Sequence, residues 1–314
     1  MSNLVSIITP TYNHEGYIDS CIRSVMAQSY SNWEMLIVDD ASMDETRKII
    51  KKFTSIDSRI SLISHRDNWG ISRLVDTYNQ ALSKCRGKYI AILEGDDFWP
   101  ADKLKIQMKS LLKSKAVFSY GDWVMTNQFG EGIHLRQYDK YKLSNLRNRK
   151  PSKSILKCFN SLRFDIASST VIMEAKSLRK IGGFTTAVDY PFVDVPTYLQ
   201  FSLMGEWDYV PSILGYYRRH ETSTWFAYAM KANAMGRDDL LICIDAFIET
   251  NKIDFGMSVK DMRDREIFLL RKRKNIWLSN FLNKALFPHR YNFIYWLISF
   301  IGKRKFQQTL KKYQ

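Results

Sequence analysis

Three carboxylates stand within four positions at Glu94-Gly95-Asp96-Asp97. They follow Tyr89-Ile90-Ala91-Ile92-Leu93, an apolar run that reads as a buried strand, and precede Phe98-Trp99-Pro100. Carboxylates crowded at the end of a buried strand repel one another, so they need positive charge beside them. A divalent cation meets that need, and hard cations such as magnesium take oxygen ligands. Gly95 lets the backbone approach closely and bend. The plainer alternative is an acidic turn ahead of a helix that Ala101-Asp102-Lys103-Leu104 begins.

Polar residues close the other apolar runs in the same way. Leu4 to Thr9 reads as a first strand ended by Pro10, with Thr11-Tyr12-Asn13 behind it. Glu34 to Val38 is a second strand running into Asp39-Asp40, and Arg59 to Ser64 a third, followed by Asp67-Asn68. Lys88 to Leu93 is the fourth. Apolar steps of three and four predict helices between them: Glu15 to Ser29, a second capped by Ser42 or Asp44 and running to about Phe53, and Gly70 to Lys84. Strand starts at 4, 34, 60 and 89 lie 30, 26 and 29 residues apart, the spacing of successive β-α-β units of ~30 residues. The expected fold class is α/β, a doubly wound and mostly parallel sheet flanked by helices. Such sheets bind ligands beyond the carboxyl ends of their strands, where these polar residues collect. No G-x-G-x-x-G follows the first strand and no G-x-x-x-x-G-K-[ST] occurs, which argues against a dinucleotide cofactor and against a P-loop.

The 314 residues are 45% hydrophobic, enough for one or two domains. The net charge is +15, but residues 257–314 carry 14 Lys and Arg against 3 Asp and Glu, so +11 lies there and +4 on the rest. Basic character confined to one segment argues against a generic nucleic-acid binder. Cys21, Cys85, Cys158 and Cys243 are scattered, without C-x-x-C or tight Cys/His spacing, as expected of reduced buried thiols and no zinc site. Met1 to Thr9 has no basic-then-apolar leader pattern, and no run reaches the ~20 apolar residues of a membrane span. A cytoplasmic chain is expected.

Four blocks carry a family resemblance: V-S-I-I-T-P-T-Y-N at 5–13, Q-S-Y-S-N-W-E-M-L-I-V-D-D-A-S-M-D-E-T at 28–46, N-W-G-I-S-R at 68–73 and G-K-Y-I-A-I-L-E-G-D-D-F-W at 87–99. In this order they resemble glycosyltransferase family 2, and the likeness runs from residue 4 to about 225. The resemblance implies a GT-A fold and inverting transfer of a sugar from a nucleotide sugar to an acceptor hydroxyl. By position it places Pro10, Tyr12, Asn13, Asp40 and Asn68 around the nucleotide, with Asp40 accepting from a ring N–H of the base and Asp39 in support. The plain reading of the Asp39-Asp40 pair is helix capping. Arg73 would reach a phosphate or remain a solvated helix charge. Glu94 and Asp96 match the family's metal motif, with Asp96 as chief ligand bridging Mg2+ or Mn2+ to the diphosphate. Many members have Asp where this chain has Glu94, one methylene longer. Asp97 is expected only to cap the next helix.

Further on, Ala116 to Tyr120 reads as a strand, with Gly121-Asp122-Trp123 continuing towards the site. Residues 131–163 are polar and suit an acceptor-binding loop. Ser168 to Met173 reads as a strand, Ala175 to Lys180 as a short helix and Ile181-Gly182-Gly183-Phe184 as a turn. Family members place a general-base aspartate next, which maps to Asp194 in F-V-D-V-P-T-Y-L. Here Val193 replaces the acidic residue that usually precedes it, and Asp189 and Asp165 compete for the role. Inverting transfer needs one base on the acceptor side; the plain alternative is an N-capping Asp. Tyr216-Tyr217-Arg218-Arg219-His220 is similar to the family's Y-R-x-H, which implies Arg218 at the diphosphate and His220 there or in the metal shell. Neither Q-x-x-R-W nor long membrane helices accompany it, so addition of a single sugar is expected.

The expected domains are a catalytic unit over 1–225, its nucleotide-sugar half 1–113 and acceptor half 114–225, and a basic helical region over 226–314. In the latter, Tyr291 to Ile301 is almost wholly apolar and Lys303-Arg304-Lys305 follows. Residues 275–312 suit an interfacial helix on anionic lipid at the inner face of the cell membrane; packing on the catalytic unit or in a homodimer is the alternative. The expected partners are a nucleoside-diphosphate sugar, uridine diphosphate first, and a glycan or lipid-linked acceptor, with no nucleic acid. A nucleotidyltransferase would carry a Gly-rich basic loop after strand one, which Pro10-Thr11-Tyr12-Asn13 is not. An inactive scaffold binding membrane or RNA would have no need of Asp40, Asp96 and Asp194 together.

Overall fold

A computed structural model describes residues 3–136, 166–187 and 192–223, together with Cys243, Ala246, Phe247, Thr250 and Asn251. Asp165, Asp189, Cys158, most of the 131–163 loop and the 275–312 segment lie outside the described residues.

The four expected β-α-β strands form. They are β1 (Val5–Thr11), β2 (Trp33–Asp39), β3 (Ile60–Ser64) and β4 (Tyr89–Ile92), all parallel in the order β3-β2-β1-β4. Their connecting helices are α1 (Ile18–Met26), α2 (Thr46–Ile56) and α3 (Leu74–Lys84), the last entered through a 3-10 turn at Ile71–Arg73. Alternation along each strand sorts side chains to two faces. Ile8, Leu36, Val38, Ile90 and Ile92 pack with α3 on one face. Val5, Ile7, Met35, Ile37, Ala91 and Leu93 pack with α1, α2 and α4 (Lys103–Ser114) on the other. Strands buried on both faces read as continuous apolar runs, which is why β1, β2 and β4 are plain in the sequence; β3, at the sheet edge, is only partly buried.

Beyond β4 the sheet becomes mixed. β5 (Phe118–Thr126) is longer than expected and pairs with β6 (Gly132–Arg136), β7 (Ile172–Glu174) and β8 (Trp207–Arg218). β7 runs antiparallel to both β4 and β5, while β8 runs parallel along the whole of β5. Two readings are corrected. Ser168–Thr170 is a 3-10 turn and only Ile172–Glu174 joins the sheet, because Ser169 and Thr170 are drawn into bonds with Trp99, Gln107 and Ala167. Gly132–Arg136 is a strand where a polar loop was expected. The helices α5 (Ala175–Lys180) and α6 (Asp194–Phe201) cover the β5 side of the first face, and Cys243 and Phe247 pack there too.

β8 must lie hard against β5 at Gly121. A Cβ there would stand 2.5 Å from the Val210 carbonyl and from Leu214 Cδ1. Gly121→Ala is therefore expected to cost about 1–3 kcal/mol through overpacking, read as a lower urea midpoint at unchanged slope.

Candidate active site

The carboxyl ends of β1 and β4 meet at the acidic turn. Gly95 N–H donates to the Pro10 carbonyl (3.0 Å) and Leu93 N–H to Ile8 (3.1 Å), so the turn is tied to the end of β1. The approach requires glycine: a Cβ on residue 95 would lie 2.5 Å from Thr11 Oγ1 and 3.0 Å from His14 Nδ1. From the other side the end of β8 closes over the turn. Phe98 and Tyr216 exchange backbone hydrogen bonds (3.3 and 2.9 Å) and stack their rings with centroids 4.7 Å apart.

Each carboxylate then meets a different fate. Asp97 is buried and accepts from the Arg218 backbone N–H (2.8 Å). It does not cap the next helix, whose first residue is Lys103 with Asp102 before it. A buried carboxylate so close to Arg218 serves better as an anchor for the backbone of β8. Burial, with Asp96 and Glu94 beside it, raises its pKa well above the ordinary carboxylate range. Glu94 accepts from the Tyr78 hydroxyl (3.1 Å). Burial pushes it up to about 7, the Asp96 and Asp194 charges adding to the shift and the Tyr78 bond opposing it. Burial also acts to raise Asp96, but His14 and the hydrogen bond from His220 hold its carboxyl below the usual range.

Asp96 Oδ2 accepts from His220 Nε2 (3.0 Å), while His220 Nδ1 is held by Thr222 Oγ1 (2.8 Å). His14, which the sequence reading passed over, joins them. Ligand atoms of His14, Asp96 and His220 all lie within 4.8 Å of one another. Burial lowers the His14 pKa, against the pull of Asp96. Two donors each ~2.1 Å from an ion stand no more than about 4.2 Å apart, so a closure of under about 1 Å would let all three hold one cation. The donor set and the cradle left by Gly95 fit a divalent ion. Glu94 is not in this set; it faces Tyr78.

Arg218, expected at a diphosphate, spends its guanidinium on the protein. Nε donates to the Asp96 carbonyl (2.7 Å), Nη1 to Gln128 O (2.8 Å) and Nη2 to Ser20 Oγ (3.1 Å). It therefore fixes the backbone that carries Asp96. Asp194 opens α6, and its Oδ1 accepts from Val195 N–H (2.8 Å). Its charge adds to the upward pKa shifts of Glu94, Tyr78 and Tyr198.

The nucleotide-side residues gather at the ends of β1 and β2. Asn13, in a left-handed conformation (φ 51°), bridges to the next loop: its N–H donates to Ser42 Oγ (2.9 Å) and its Oδ1 accepts from Met43 N–H (2.9 Å). Tyr12 beside it is exposed. Asp39 is fully buried and ion-paired with Arg47 (2.8 Å). The Asp40 carboxylate accepts from His65 Nδ1 (2.7 Å) and from Trp69 and Gly70 N–H (both 2.9 Å), and Asn68 Nδ2 donates to its carbonyl (3.0 Å). Three of its roughly four acceptor positions are thereby used in folding the 65–70 loop onto β2. Arg73 stacks on Trp69 (3.9 Å) and pairs with Asp76 (3.0 Å). Signals for His14 and Tyr78 existed in the sequence, His14 directly behind the Pro10–Asn13 block and Tyr78 on the apolar face of α3, but neither carried a motif.

Comparison with known proteins now bears on this geometry. Residues 6–182 match the family described as Glycosyl transferase family 2. The chain is 42% identical over 124 residues to the UDP-Glc:alpha-D-GlcNAc-diphosphoundecaprenol beta-1,3-glucosyltransferase WfgD of Escherichia coli, a match covering 40% of this chain and 47% of that protein. It thus spans about half the length of the curated relatives it matches. Among solved structures, Staphylococcus aureus TarS 1–349 with UDP-GlcNAc superposes with a TM-score of 0.59 at 17% identity, covering 80% of this chain and 68% of that one. The mannosyltransferase PcManGT of Pyrobaculum calidifontis, in complex with GDP-Man and Mn2+, gives 0.52 at 18% identity over 88% and 83%. At these identities the structures speak to the fold alone, and it is the GT-A fold expected.

Glu94 supplies a pH test. In the folded chain it keeps its proton up to about pH 7, against an ordinary value of 4.5. Folding therefore carries an ionisation cost that is absent below the lower value and complete above the upper one. In chelator-treated protein, Glu94→Gln should gain melting temperature over the parent chain as pH rises through this window. A gap independent of pH would refute the assignment.

Proposed function

The chain belongs to glycosyl transferase family 2, and from that premise we propose that it moves one sugar from a nucleoside-diphosphate sugar to an acceptor hydroxyl, with inversion. The observation that carries this reading is the meeting of Asp96, His220 and His14 at the end of β4, with the Asp194 charge acting on the neighbouring Glu94. A donor diphosphate needs positive charge, and an acceptor needs a base; the two requirements fall on neighbouring parts of one site.

In the proposed reaction Asp194 takes the proton of the acceptor hydroxyl as its oxygen attacks the anomeric carbon. The bond from that carbon to the diphosphate oxygen breaks, and its electron pair leaves with the nucleoside diphosphate. A bound Mg2+ or Mn2+ supplies charge neutralisation for the departing diphosphate, with Asp96 and His220 as its holders. Asp97 and Arg218 keep the acidic turn in place. Pro10, Tyr12, Asn13 and Asn68 border the nucleotide; Asp39 and Asp40 shape that border, with Asp40 Oδ2 available to a base N–H. Arg73 stands at its rim.

Residues 1–113 bind the donor and 114–225 the acceptor in this reading, with 226–314 as an accessory basic region that meets anionic membrane. Uridine diphosphate is the first donor nucleotide to test, in keeping with the UDP-Glc donor of WfgD and the UDP-GlcNAc bound in the TarS structure. A lipid-linked glycan acceptor is in keeping with the diphosphoundecaprenol-linked acceptor of WfgD. Among the described residues no helix is long and apolar enough to cross a membrane.

Calorimetric titration with uridine diphosphate should show binding that needs Mn2+ and is lost in Asp96→Asn. Asp194→Asn should bind donor as the parent does yet lose about 10²–10⁴-fold in turnover. Binding without turnover under all donors and acceptors, unaffected by Asp96→Asn, would favour an inactive scaffold instead.

A further inference from the structure

The proposed reaction gives His14 no role of its own, although it stands beside Asp96 and His220. Its surroundings are those of a built metal ligand. The backbone on either side is fixed: His14 N–H donates to Thr46 Oγ1 (2.7 Å), and its carbonyl accepts from Tyr17 and Ile18 N–H (2.9 and 2.8 Å). The ring is oriented by one hydrogen bond, between Nδ1 and Thr11 Oγ1 (3.1 Å). That is the arrangement in which a second group fixes the tautomer of a metal-binding imidazole and leaves the other nitrogen to the ion. His220 repeats it, with Nδ1 held by Thr222 Oγ1 (2.8 Å) and Nε2 facing Asp96. The two rings stand edge to face, centroids 6.0 Å apart, with the Asp96 carboxylate within reach of both. Only glycine at 95 allows the loop bearing His14 so close to the turn bearing Asp96.

We propose that His14 is a third protein ligand, making a two-histidine, one-carboxylate site through His14 Nε2, His220 Nε2 and an Asp96 oxygen. The inference rests on the metal-dependent reading of the function and extends it. Two imidazoles change which ion is preferred. Carboxylate and water suit Mg2+, whereas imidazole suits the later first-row ions. The site should therefore take Co2+ in preference to Mg2+, with Mn2+ the weakest of the first-row ions it binds, and keep open positions for diphosphate oxygens.

The test uses the full chain and Mn2+ alone, without nucleotide. Pulsed electron paramagnetic resonance of the bound ion should show nitrogen couplings from two imidazoles in the parent chain and from one in His14→Gln. Calorimetry should show Mn2+ affinity reduced at least about 10–100-fold in His14→Gln, the scale already seen when only an outer partner of a ligand is lost. Thr11→Val, which removes the orienting hydroxyl and keeps the imidazole, should weaken Mn2+ binding less while retaining both couplings. If His14→Gln is too unstable to isolate, the parent chain's two couplings and the Thr11→Val affinity decide the matter. One nitrogen coupling in the parent chain, or unchanged affinity in His14→Gln, would overturn the role of His14 and leave the proposed function standing. No Mn2+ binding by the parent, with or without uridine diphosphate, would sink both.

Discussion

Three carboxylates brought into the interior within four residues are the constraint around which this molecule is arranged. Left alone, Glu94, Asp96 and Asp97 would each resist ionisation through burial and through the other two. The fold answers each one separately. Asp97 takes a backbone N–H of β8, Glu94 a phenol from α3, and Asp96 two imidazoles from the ends of β1 and β8. One turn is thus tied to three elements, β1, α3 and β8.

β8 matters more to this arrangement than its place in the sheet implies. It is the far partner of β5, yet its last residues reach back over the acidic turn through the Phe98–Tyr216 bridge, Arg218 and His220. The Arg218 guanidinium lies over the rings of Tyr17 and Phe98 (5.0 and 5.1 Å) while its nitrogens hold three separate segments. A side chain with that many short protein contacts serves as a brace for Asp96. Its role as a direct diphosphate ligand, natural from the Y-R-x-H pattern, would require those bonds to break.

How much could be read without coordinates followed from how local each signal was. The parallel half was legible because β1, β2 and β4 are buried on both faces and the four strands alternate with amphipathic helices at even spacing. The edge strand β6 was missed because it is five residues long, with none of Gly132 to Leu135 buried, and sits in an otherwise polar stretch. Ser168–Thr170 looked like strand because its composition suits one, but side-chain and backbone bonds to Trp99 and Gln107 curl it. Asp97 resembled a helix cap in sequence, and only its partner 121 residues away shows otherwise.

The sequence by itself determined the fold class, the family and the chemistry offered at the strand ends, since burial pattern, β-α-β spacing and short motifs are properties of neighbouring residues. Asp96, His220 and Asp194 were expected at the site through motif resemblance, and the hydrogen bond between Asp96 and His220 is a matter of tertiary structure. That His14 completes the set, that Arg218 faces inward, and that Asp40 is bound up with His65 and the 68–70 loop were decided only in three dimensions. Each depends on contacts between segments far apart in the chain, and such contacts leave no periodicity or spacing in a single sequence.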